Sequence, residues 1–483
     1  MVNLTLIIAL PLLMAFTMPI FKMLNSKLPK FIALLTTAFN LIVLSSNFTE
    51  IMAAPLILEL GGWQAPFAIN LYVGPLALVA AFLINGSAFI LSIYNLSQDY
   101  QFDDKFYLLF LMITAGASGM VMTGDLFNLF VFIEITSIAA YSLTTFAGGS
   151  SYEASFKYLI IGGVGSVFLL LGIGFTYSAV GSLNLAEIAA SAGLINPLLL
   201  QITALLFLIG IGIEAELFPL NFWVPDIYTE APTAVSGIMS GAVSAAGIYA
   251  LARIFFTLFP AQQFFNYLLV IGVITLIMGE LIAYQQENIK RMLAYSSLAQ
   301  MGLIVTVISL GTEAAVKAGL FQLINHSILK VLLFISAGVL ISAAGSKKIK
   351  DLAGLGTKKP TAAFGFTIAA MGILGVPFLN GFISKFMIIS SSLNADQFLI
   401  TFLILAAALI EIAYYLKVVQ KLYFEDLEIE VKNTAVITVP VILLTLLIIG
   451  LGVYPQLIAE PLEKAAAEIL NNSRYIMTVL GGI

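Results

Sequence analysis

Residues 210–226 have the sequence GIGIEAELFPLNFWVPD. The segment is apolar except for two glutamates, Glu214 and Glu216, which are followed closely by Pro219. Pro219 has no N–H to donate to the carbonyl of Ala215, so a helix through this segment is interrupted. An acid at the centre of a membrane helix costs about 2.5 kcal/mol or more. The segment therefore predicts a broken helix with a buried polar site.

The composition of the whole chain places this segment in a membrane. Of the 483 residues, 60% are hydrophobic and 10% are charged, and the mean hydropathy is +1.05. Soluble domains have roughly a quarter charged residues, so the chain is a polytopic membrane protein. There is no cysteine, one histidine and no glycine-rich phosphate loop. The sequence therefore predicts no metal, no cofactor, no catalytic chemistry of its own and no nucleic-acid binding.

Apolar segments near the ~20 residues of a spanning helix predict about fourteen transmembrane helices. They are 4–21, 30–49, 75–95, 106–123, 125–145, 157–180, 198–221, 233–258, 264–284, 293–311, 315–342, 362–393, 397–417 and 434–453. The segments 315–342 and 362–393 are too long for straight spans, so each is expected to contain a break or an interfacial portion. The stretch EPLEKAAAEIL, which begins at Glu460, is a candidate surface helix.

The distribution of basic residues predicts the orientation of the spans. With the 22–30 loop in the cytoplasm, most basic residues fall on that side, and both termini lie outside. These residues are Lys22, Lys27, Lys30, Lys105, Lys157, Lys290, Arg291, Lys347, Lys348, Lys350, Lys358, Lys359, Lys417, Lys421 and Lys432. The location predicted is the cytoplasmic membrane of a prokaryotic cell.

Ionisable residues within spans are functional candidates, with a structural ion pair as the alternative. They are Glu134, Glu214, Glu216, His326, Lys330, Lys385 and Glu411. Glu134 lies among aromatic residues in the fifth span, where a desolvated carboxyl can hold or release a proton. His326 and Lys330 are four residues apart and share one helix face, which predicts a proton relay. Glu411 is a weaker candidate, because it and Glu280 can be explained by pairing or by snorkelling.

Two further patterns lie inside spans. Pro377 and Gly381 interrupt the twelfth span just before Lys385, as Pro219 interrupts the seventh. One interrupted helix in each half of a chain indicates an inverted-repeat transporter with sites near the midplane. The eighth span contains Ser236, Ser240 and Ser244 on one face, together with small residues. Close helix packing is favoured for this face over a serine-lined water path that would use Ser240 and Ser244.

Five longer motifs carry a resemblance to a known family. They are DLFNLFVFIEI (125–135), LFPLNFWVPDIYTEAPTAVS (217–236), QQENIKRMLAYSSLAQMG (285–302), LINHSILKVLLFISAG (323–338) and PFLNGFISK (377–385). They resemble the antiporter-like subunits of Mrp cation/proton antiporters, complex I and membrane-bound hydrogenases. The length of the chain and the stretch GGWQAPF (61–67) are most similar to Mrp D-type subunits.

This resemblance implies an all-α fold with two inverted five-helix repeats and broken seventh and twelfth helices. It implies N-terminal helices 1–3 in residues 1–105, a first repeat in 106–258, a second repeat in 259–417, and helix 14 with the tail in 418–483. Glu134, His326, Lys330 and Lys385 match the family's central line of charged residues.

Two positions of the central line depart from the family. The resemblance implies a lysine where this chain has Glu214, and a second lysine where it has Ala245. Glu134 and Glu214 would then share a pocket, and two neighbouring carboxylates repel each other. On a continuous helix Glu216 lies about 200° from Glu214. Glu216 is therefore expected to face a neighbouring helix, a partner subunit or the cavity at Pro219.

The function implied is that of an ion-translocating subunit of an Mrp-type antiporter or an Mrp-derived respiratory complex. Its partners would be other membrane subunits, H⁺, Na⁺ and an Fe–S or hydrogenase-like redox module. The alternatives are a structural, non-pumping bridging subunit and a proton-pumping subunit of complex I. A stand-alone transporter of an organic solute has little support from the motifs.

Overall fold

The computed structural model describes residues 3–97, 103–426 and 437–481. Lys432 and the first residues of the predicted span 434–453 lie outside these ranges. The helices are α1 (Leu6–Leu24), α2 (Leu28–Ser46), α3 (Phe48–Ala53), α4 (Pro75–Leu96), α5 (Asp104–Met122), α6 (Leu126–Thr144), α7 (Ser151–Val180), α8 (Leu185–Ser191), α9 (Pro197–Glu214), α10 (Val224–Glu230), α11 (Thr233–Ile238), α12 (Ser244–Leu258), α13 (Gln262–Tyr284), α14 (Ile289–Ile308), α15 (Glu313–Ala344), α16 (Leu355–Lys358), α17 (Pro360–Leu374), α18 (Asn380–Asn394), α19 (Phe398–Phe424), α20 (Thr438–Val453), α21 (Ala459–Leu470) and α22 (Asn472–Leu480). Strands β1 (Leu56–Glu59) and β2 (Asn70–Val73) pair antiparallel, with Leu56 opposite Val73.

The helices confirm a polytopic, all-α membrane protein. In the described part of the chain, twelve helices are long and apolar enough to cross a membrane. The number becomes thirteen if α20 and the segment that contains α21, which meet at a bend of 97°, form one span. The predicted spans 362–393 and 434–453 are not long enough as single helices. The first is divided into α17 and α18, which have 15 residues each, and the helix in the second, α20, has 16 residues. The number fourteen and the division into two five-helix repeats remain predictions.

The break in the seventh span is confirmed. Helix α9 ends at Glu214, and α10 begins at Val224. Nearby side chains satisfy the backbone between them: the N–H of Phe218 donates to Thr275 Oγ1 at 3.0 Å, and Asn221 Nδ2 donates to the carbonyl of Glu216 at 3.0 Å. A non-helical segment is tolerated in a membrane when its polar backbone groups are paired inside the protein.

The break in the twelfth span is confirmed as well. It separates α17 from α18 and includes two residues with positive φ, Gly375 (80°) and Phe378 (70°). Gly381 lies in the first turn of α18 rather than in the break itself. A Cβ on Gly381 would overlap the carbonyl oxygen of Gly372, so only glycine lets the two half-helices approach this closely.

The break expected in 315–342 is wrong. Helix α15 runs without interruption for 32 residues. It contains no proline, and most of it is enclosed by other helices rather than by lipid. A helix of this length is about 48 Å long, more than the ~30 Å of the hydrocarbon core, so the interfacial portion expected as the alternative to a break stays a prediction.

The C-terminal stretch forms the helix predicted from EPLEKAAAEIL. Helix α21 packs its inner face, which includes Leu462, Ala466 and Ile469, against α4 and α15. The most enclosed span in the described ranges is Thr233–Leu258, which comprises α11, a π-helical turn and α12. Three predicted site residues, Ser240, Ser244 and Ala245, lie on this span.

Candidate functional site

The first half of the chain places two acids near each other, as the sequence predicts. Glu134 on α6 is half-buried and accepts a hydrogen bond from Ser166 Oγ on α7. Glu214, at the end of α9, is 4% exposed and accepts from Ser137 Oγ at 2.9 Å and from Tyr158 Oη at 3.3 Å. The two carboxyls repel each other electrostatically. The hydrogen bonds described for them come from hydroxyl groups and not from ammonium groups.

The second departure from the family, Ala245, is fully buried on α12. A methyl group at this point can neither carry a proton nor balance the charge of Glu134 and Glu214. In the first half, the predicted line therefore consists of acids and hydroxyls, and its basic groups all lie in the second half.

Glu216 lies in the helix break rather than on a helix, so the angle of about 200° from Glu214, which assumes a continuous helix, does not describe its position. Its φ is 62°, and its side chain is 1% exposed. Tyr228 on α10 donates a hydrogen bond to Oε1, while Oε2 is buried with no partner among the described residues. Glu216 is attracted electrostatically to Lys330. The acid therefore faces the boundary between the two halves.

His326 lies beside a π-helical turn that the sequence did not predict. In this turn the N–H of Ser244 donates to the carbonyl of Met239, five residues back, instead of to that of Ser240. His326 Nε2 lies 3.0 Å from the Ser240 carbonyl and 3.4 Å from Ser297 Oγ. A carbonyl can only accept, so Nε2 carries a hydrogen. Nδ1 has no hydrogen-bond partner within the described ranges.

The hydroxyls of the eighth span take part in this network. Ser240 Oγ lies 3.1 Å from Ser297 Oγ, and Ser244 Oγ donates to the Ser240 carbonyl at 2.5 Å. Ser236 Oγ donates to the carbonyl of Tyr228 at 2.8 Å. Close packing was the favoured interpretation of the serine face, but it describes only part of it. Ser240 also contacts Ser297 on α14 and His326 on α15.

Lys330 is fully buried one turn after His326. Its ammonium donates to Ser296 Oγ at 2.8 Å, to the Leu293 carbonyl at 3.2 Å and to Tyr415 Oη at 3.3 Å. Ser296 and Tyr415 also contact each other at 3.0 Å. The acids that attract Lys330 electrostatically are Glu411, Glu280 and Glu216. A buried ammonium without a contacting carboxylate depends on these hydrogen bonds for its stability.

Lys385 on α18 forms an ion pair with Glu411 on α19. Glu411 is 1% exposed, so it does not snorkel, and pairing is the interpretation that holds. Its second oxygen accepts from Gln300 Nε2 at 2.7 Å. Gln322 donates to Gln300 at 2.5 Å and accepts from Ser384 at 2.6 Å. The pair is therefore anchored in a hydrogen-bonded frame that spans four helices.

A small cavity of about 30 Å³ adjoins this pair and is lined by Glu280, Gln300, Lys385 and Glu411 together with aliphatic side chains. Glu280 is 1% exposed, so the predicted alternative of snorkelling from a helix end is wrong for this residue. The preceding residue, Gly279, lies against Ala299, so Glu280 is beside the middle of α14.

Apart from Ser240 and Ser244, the uncharged members of the site were not predicted from the sequence. Tyr228, Ser297, Ser296, Tyr415 and Gln300 connect the charged groups through the contacts given above. Three of them lie in the motif IKRMLAYSSLAQMG. The length of this motif was the signal from which they could have been predicted as site residues. In the described part of the chain, no group of three or more His, Asp or Glu side chains could hold a metal ion.

This geometry can be compared with known proteins. Residues 123–411 match the family described as NADH:quinone oxidoreductase/Mrp antiporter, TM, and this segment contains every predicted site residue. The chain belongs to this family.

Relatives of this antiporter-family chain align over most of its length. The D subunit of the Na⁺/H⁺ antiporter of Alkalihalophilus pseudofirmus is 31% identical over 88% of each chain. The N subunit of the NADH-quinone oxidoreductase of Desulforudis audaxviator is 34% identical over 78% of this chain and 77% of its own. A chain in the structure of the membrane-bound sulfane sulfur reductase, an archaeal respiratory membrane complex, is 37% identical over 99% of both chains, with a TM-score of 0.94. The family expected from the motifs is confirmed.

Proposed function

We propose that this chain is an ion-translocating subunit of a multisubunit membrane complex and that it moves protons along the buried polar line. The observation that supports this proposal is the burial of ionisable side chains next to both helix breaks of a hydrophobic bundle. The ionisable members of the proposed line are Glu134, Glu214, Glu216, His326, Lys330, Glu411 and Lys385. Buried ionisable groups are costly in a membrane, and a series that links two helix breaks is typical of an ion path.

Each half of the line has a distinct part. In the second half, His326, Lys330 and Lys385 exchange protons through the hydroxyls of Ser296 and Tyr415 and through intervening water. In the first half, Glu134 and Glu214 relay protons as acids. Glu216 replaces the missing bases as the link between halves, because it lies in the break and is attracted to Lys330.

The partners proposed are the other membrane subunits of such a complex. Na⁺ is the proposed counter-ion in an antiporter assembly, and an Fe–S or hydrogenase-like module is the proposed driving partner in a respiratory assembly. The relatives named above and the similarity to a respiratory membrane complex support both versions. We place both termini outside a prokaryotic cytoplasmic membrane, on the basis of the basic loops.

A second candidate is a structural subunit that bridges active neighbours. The missing bases at Glu214 and Ala245 favour it for the first half. The buried His326 and Lys330 and the ion pair of Lys385 with Glu411 argue against it for the second half. A proton-pumping subunit of a complex I-type enzyme uses the same path and differs only in its partners.

The test is transport in everted membrane vesicles that contain the whole complex. We expect Lys385→Ala and His326→Ala to reduce ion translocation by about a hundredfold, the contribution typical of a positioned proton-transfer group. The matched control is Lys421→Ala on the same bundle, which removes only the peripheral pair with Glu425 at 2.8 Å. Wild-type transport in both site variants would exclude this function and leave the structural role.

A further inference from the structure

The second half contains a buried carboxyl that the proposed path does not use. Glu280 on α13 is 1% exposed, and its Oε2 has no hydrogen-bond partner in the ranges that the structure describes. A buried acid without a partner is costly, and more so inside a membrane. A purely structural acid would be expected to pair with the nearest cation, as Glu411 does with Lys385.

The surroundings of Glu280 join it to that pair. Glu280, Lys385 and Glu411 line the same cavity of about 30 Å³. This volume has room for one or two water molecules, since a cavity needs about 10–15 Å³ for each. The other walls are mostly aliphatic, including Leu276, Leu303 and Ile388. Water in this cavity can therefore bridge the free carboxyl oxygen to the lysine.

Glu411, the acid next to Glu280, has hydrogen-bond partners on both of its oxygens. Both oxygens of Glu411 accept hydrogen bonds, one from Gln300 and the other from Lys385. Glu280 and Glu411 repel each other, so ionisation of both at once is disfavoured. Glu411 thus keeps the negative charge while Lys385 is charged, and Glu280 is the acid that is free to change its protonation state.

Glu280 is also within electrostatic reach of both lysines. Lys330 and Lys385 both act on it electrostatically, and Tyr414 on α19 lies beside it. No hydrogen bond joins the two lysines within the described ranges; the ammonium of Lys330 is bound by Ser296, Leu293 and Tyr415. A proton that passes from one lysine to the other needs a carrier between them, and Glu280 has the position and the free oxygen.

The backbone of α13 fixes this position. Added Cβ atoms at Gly272 and Gly279 on α13 and at Gly302 on α14 would lie within 2.7 Å of backbone atoms of the facing helix. Such close contact leaves little room for α13 to shift relative to α14. Only the side chain of Glu280 can turn between its neighbours.

We propose that Glu280 is a further proton-carrying residue that transfers protons between Lys330 and Lys385 across the shared cavity. Glu280 starts as the neutral acid and gives its carboxyl proton to Lys330 while that lysine is a neutral amine: an O–H bond breaks and an N–H bond forms. A cavity water then takes a proton from the Lys385 ammonium and gives another of its protons to the Glu280 carboxylate. Glu280 is a neutral acid again, Lys385 is left as a neutral amine, and Lys330 has become the ammonium. The reverse sequence carries a proton the other way.

This inference rests on the proposed function, and transport by the intact complex in everted vesicles tests it. We expect Glu280→Gln, which keeps the shape but cannot ionise, to lower proton translocation by about a hundredfold. Glu280→Asp should restore a measurable part of the rate, because the carboxyl is regained. Glu287→Gln, an exposed position just beyond the same helix, is the matched control and should leave the rate unchanged.

Wild-type transport by an assembled Glu280→Gln complex would overturn the inference. Loss in Lys385→Ala without loss in Glu280→Gln would refute only the role of Glu280, whereas wild-type rates in Lys385→Ala would refute the proposed function itself. If Glu280→Gln does not assemble, the wild-type complex can be treated with dicyclohexylcarbodiimide, which modifies protonated buried carboxyls. Modification of Glu280 in proportion to lost transport supports the role; transport that survives complete modification, or no modification of Glu280, contradicts it.

Discussion

The guanidinium of Arg253 on α12 and the carboxylate of Glu468 on α21 form a buried ion pair, with side-chain exposures of 5% and 8%. Three tyrosine rings surround the arginine, with its guanidinium carbon 5.2–5.6 Å from the centroids of Tyr72, Tyr249 and Tyr475. The second oxygen of Glu468 accepts from the N–H of Leu76 at 3.0 Å, in the first turn of α4. One carboxylate thus joins three helices.

The first prediction concerns this pair. Glu468→Gln leaves the charge of Arg253 buried and unpaired, which should lower the free energy of unfolding by about 3 kcal/mol. Thermal unfolding of the purified protein in detergent measures the change. Glu463→Gln is the matched control on the same helix: the Glu463 side chain, which pairs with Lys317, is 55% exposed, so the pair should contribute less than about 1 kcal/mol. Equal losses in the two variants would contradict the special role of Glu468.

The second prediction concerns Gly74, the residue that precedes α4. A Cβ at Gly74 would lie 2.5 Å from Glu468 Oε2, so the carboxylate of α21 fills the space that a side chain would need. Gly74→Asp alone should destabilise the protein, through this clash and through repulsion between two acids. Combined with Glu468→Ala, the same change should recover stability, because the new carboxylate can approach Arg253 and cap α4. If the double variant is no more stable than Glu468→Ala alone, the new carboxylate does not replace that of Glu468 as the partner of Arg253.

The third prediction tests the repulsion between Glu134 and Glu214. Glu214→Lys should create an ion pair with Glu134 and should change transport as well as stability. If the new pair forms, adding Glu134→Gln should destabilise the Glu214→Lys protein by about 3 kcal/mol more than it destabilises the wild type. Glu214→Gln separates the loss of negative charge from the gain of a cation. Transport and stability unchanged by Glu214→Lys would show that Glu214 does not lie on the ion path.

The fourth prediction concerns the close approach at the second helix break. Gly381→Ala places a methyl group against the carbonyl of Gly372 and should cost about 1–3 kcal/mol or more, the range for overpacking. Gly86→Ala on α4 is the control, since a Cβ there has no atom within 4 Å. It should be neutral or stabilising by up to about 1 kcal/mol. Thermal unfolding of both variants gives the comparison, and a neutral Gly381→Ala would mean that the two half-helices can separate freely.

Sequence alone was sufficient for the features that depend on local chemistry. Pro219 and the segment around Pro377 each mark a real helix break, and the apolar segments mark membrane helices. His326 and Lys330 lie on a common helix face, as their spacing predicts, and both contact α14.

Features that depend on packing between distant segments were not accessible from the sequence. The continuity of α15 is allowed because other helices enclose it. The π-helical turn at Ser240 has no distinctive residue pattern, yet it leaves the carbonyl that faces His326. Glu280 occurs near the end of its helix in the sequence, and only the packing of α13 against α14 and α19 places it beside the Lys385–Glu411 pair.

The uninterrupted α15 has a mechanical consequence. It carries His326, which contacts α11–α12 and α14, and Lys330, which contacts α14 and α19. Because one rigid rod bears both groups, a sliding or rotating movement of α15 displaces both side chains in the same direction and at the same moment. The hydrogen bonds of the histidine and of the lysine are thereby mechanically linked, so a shift of α15 changes both sets at once.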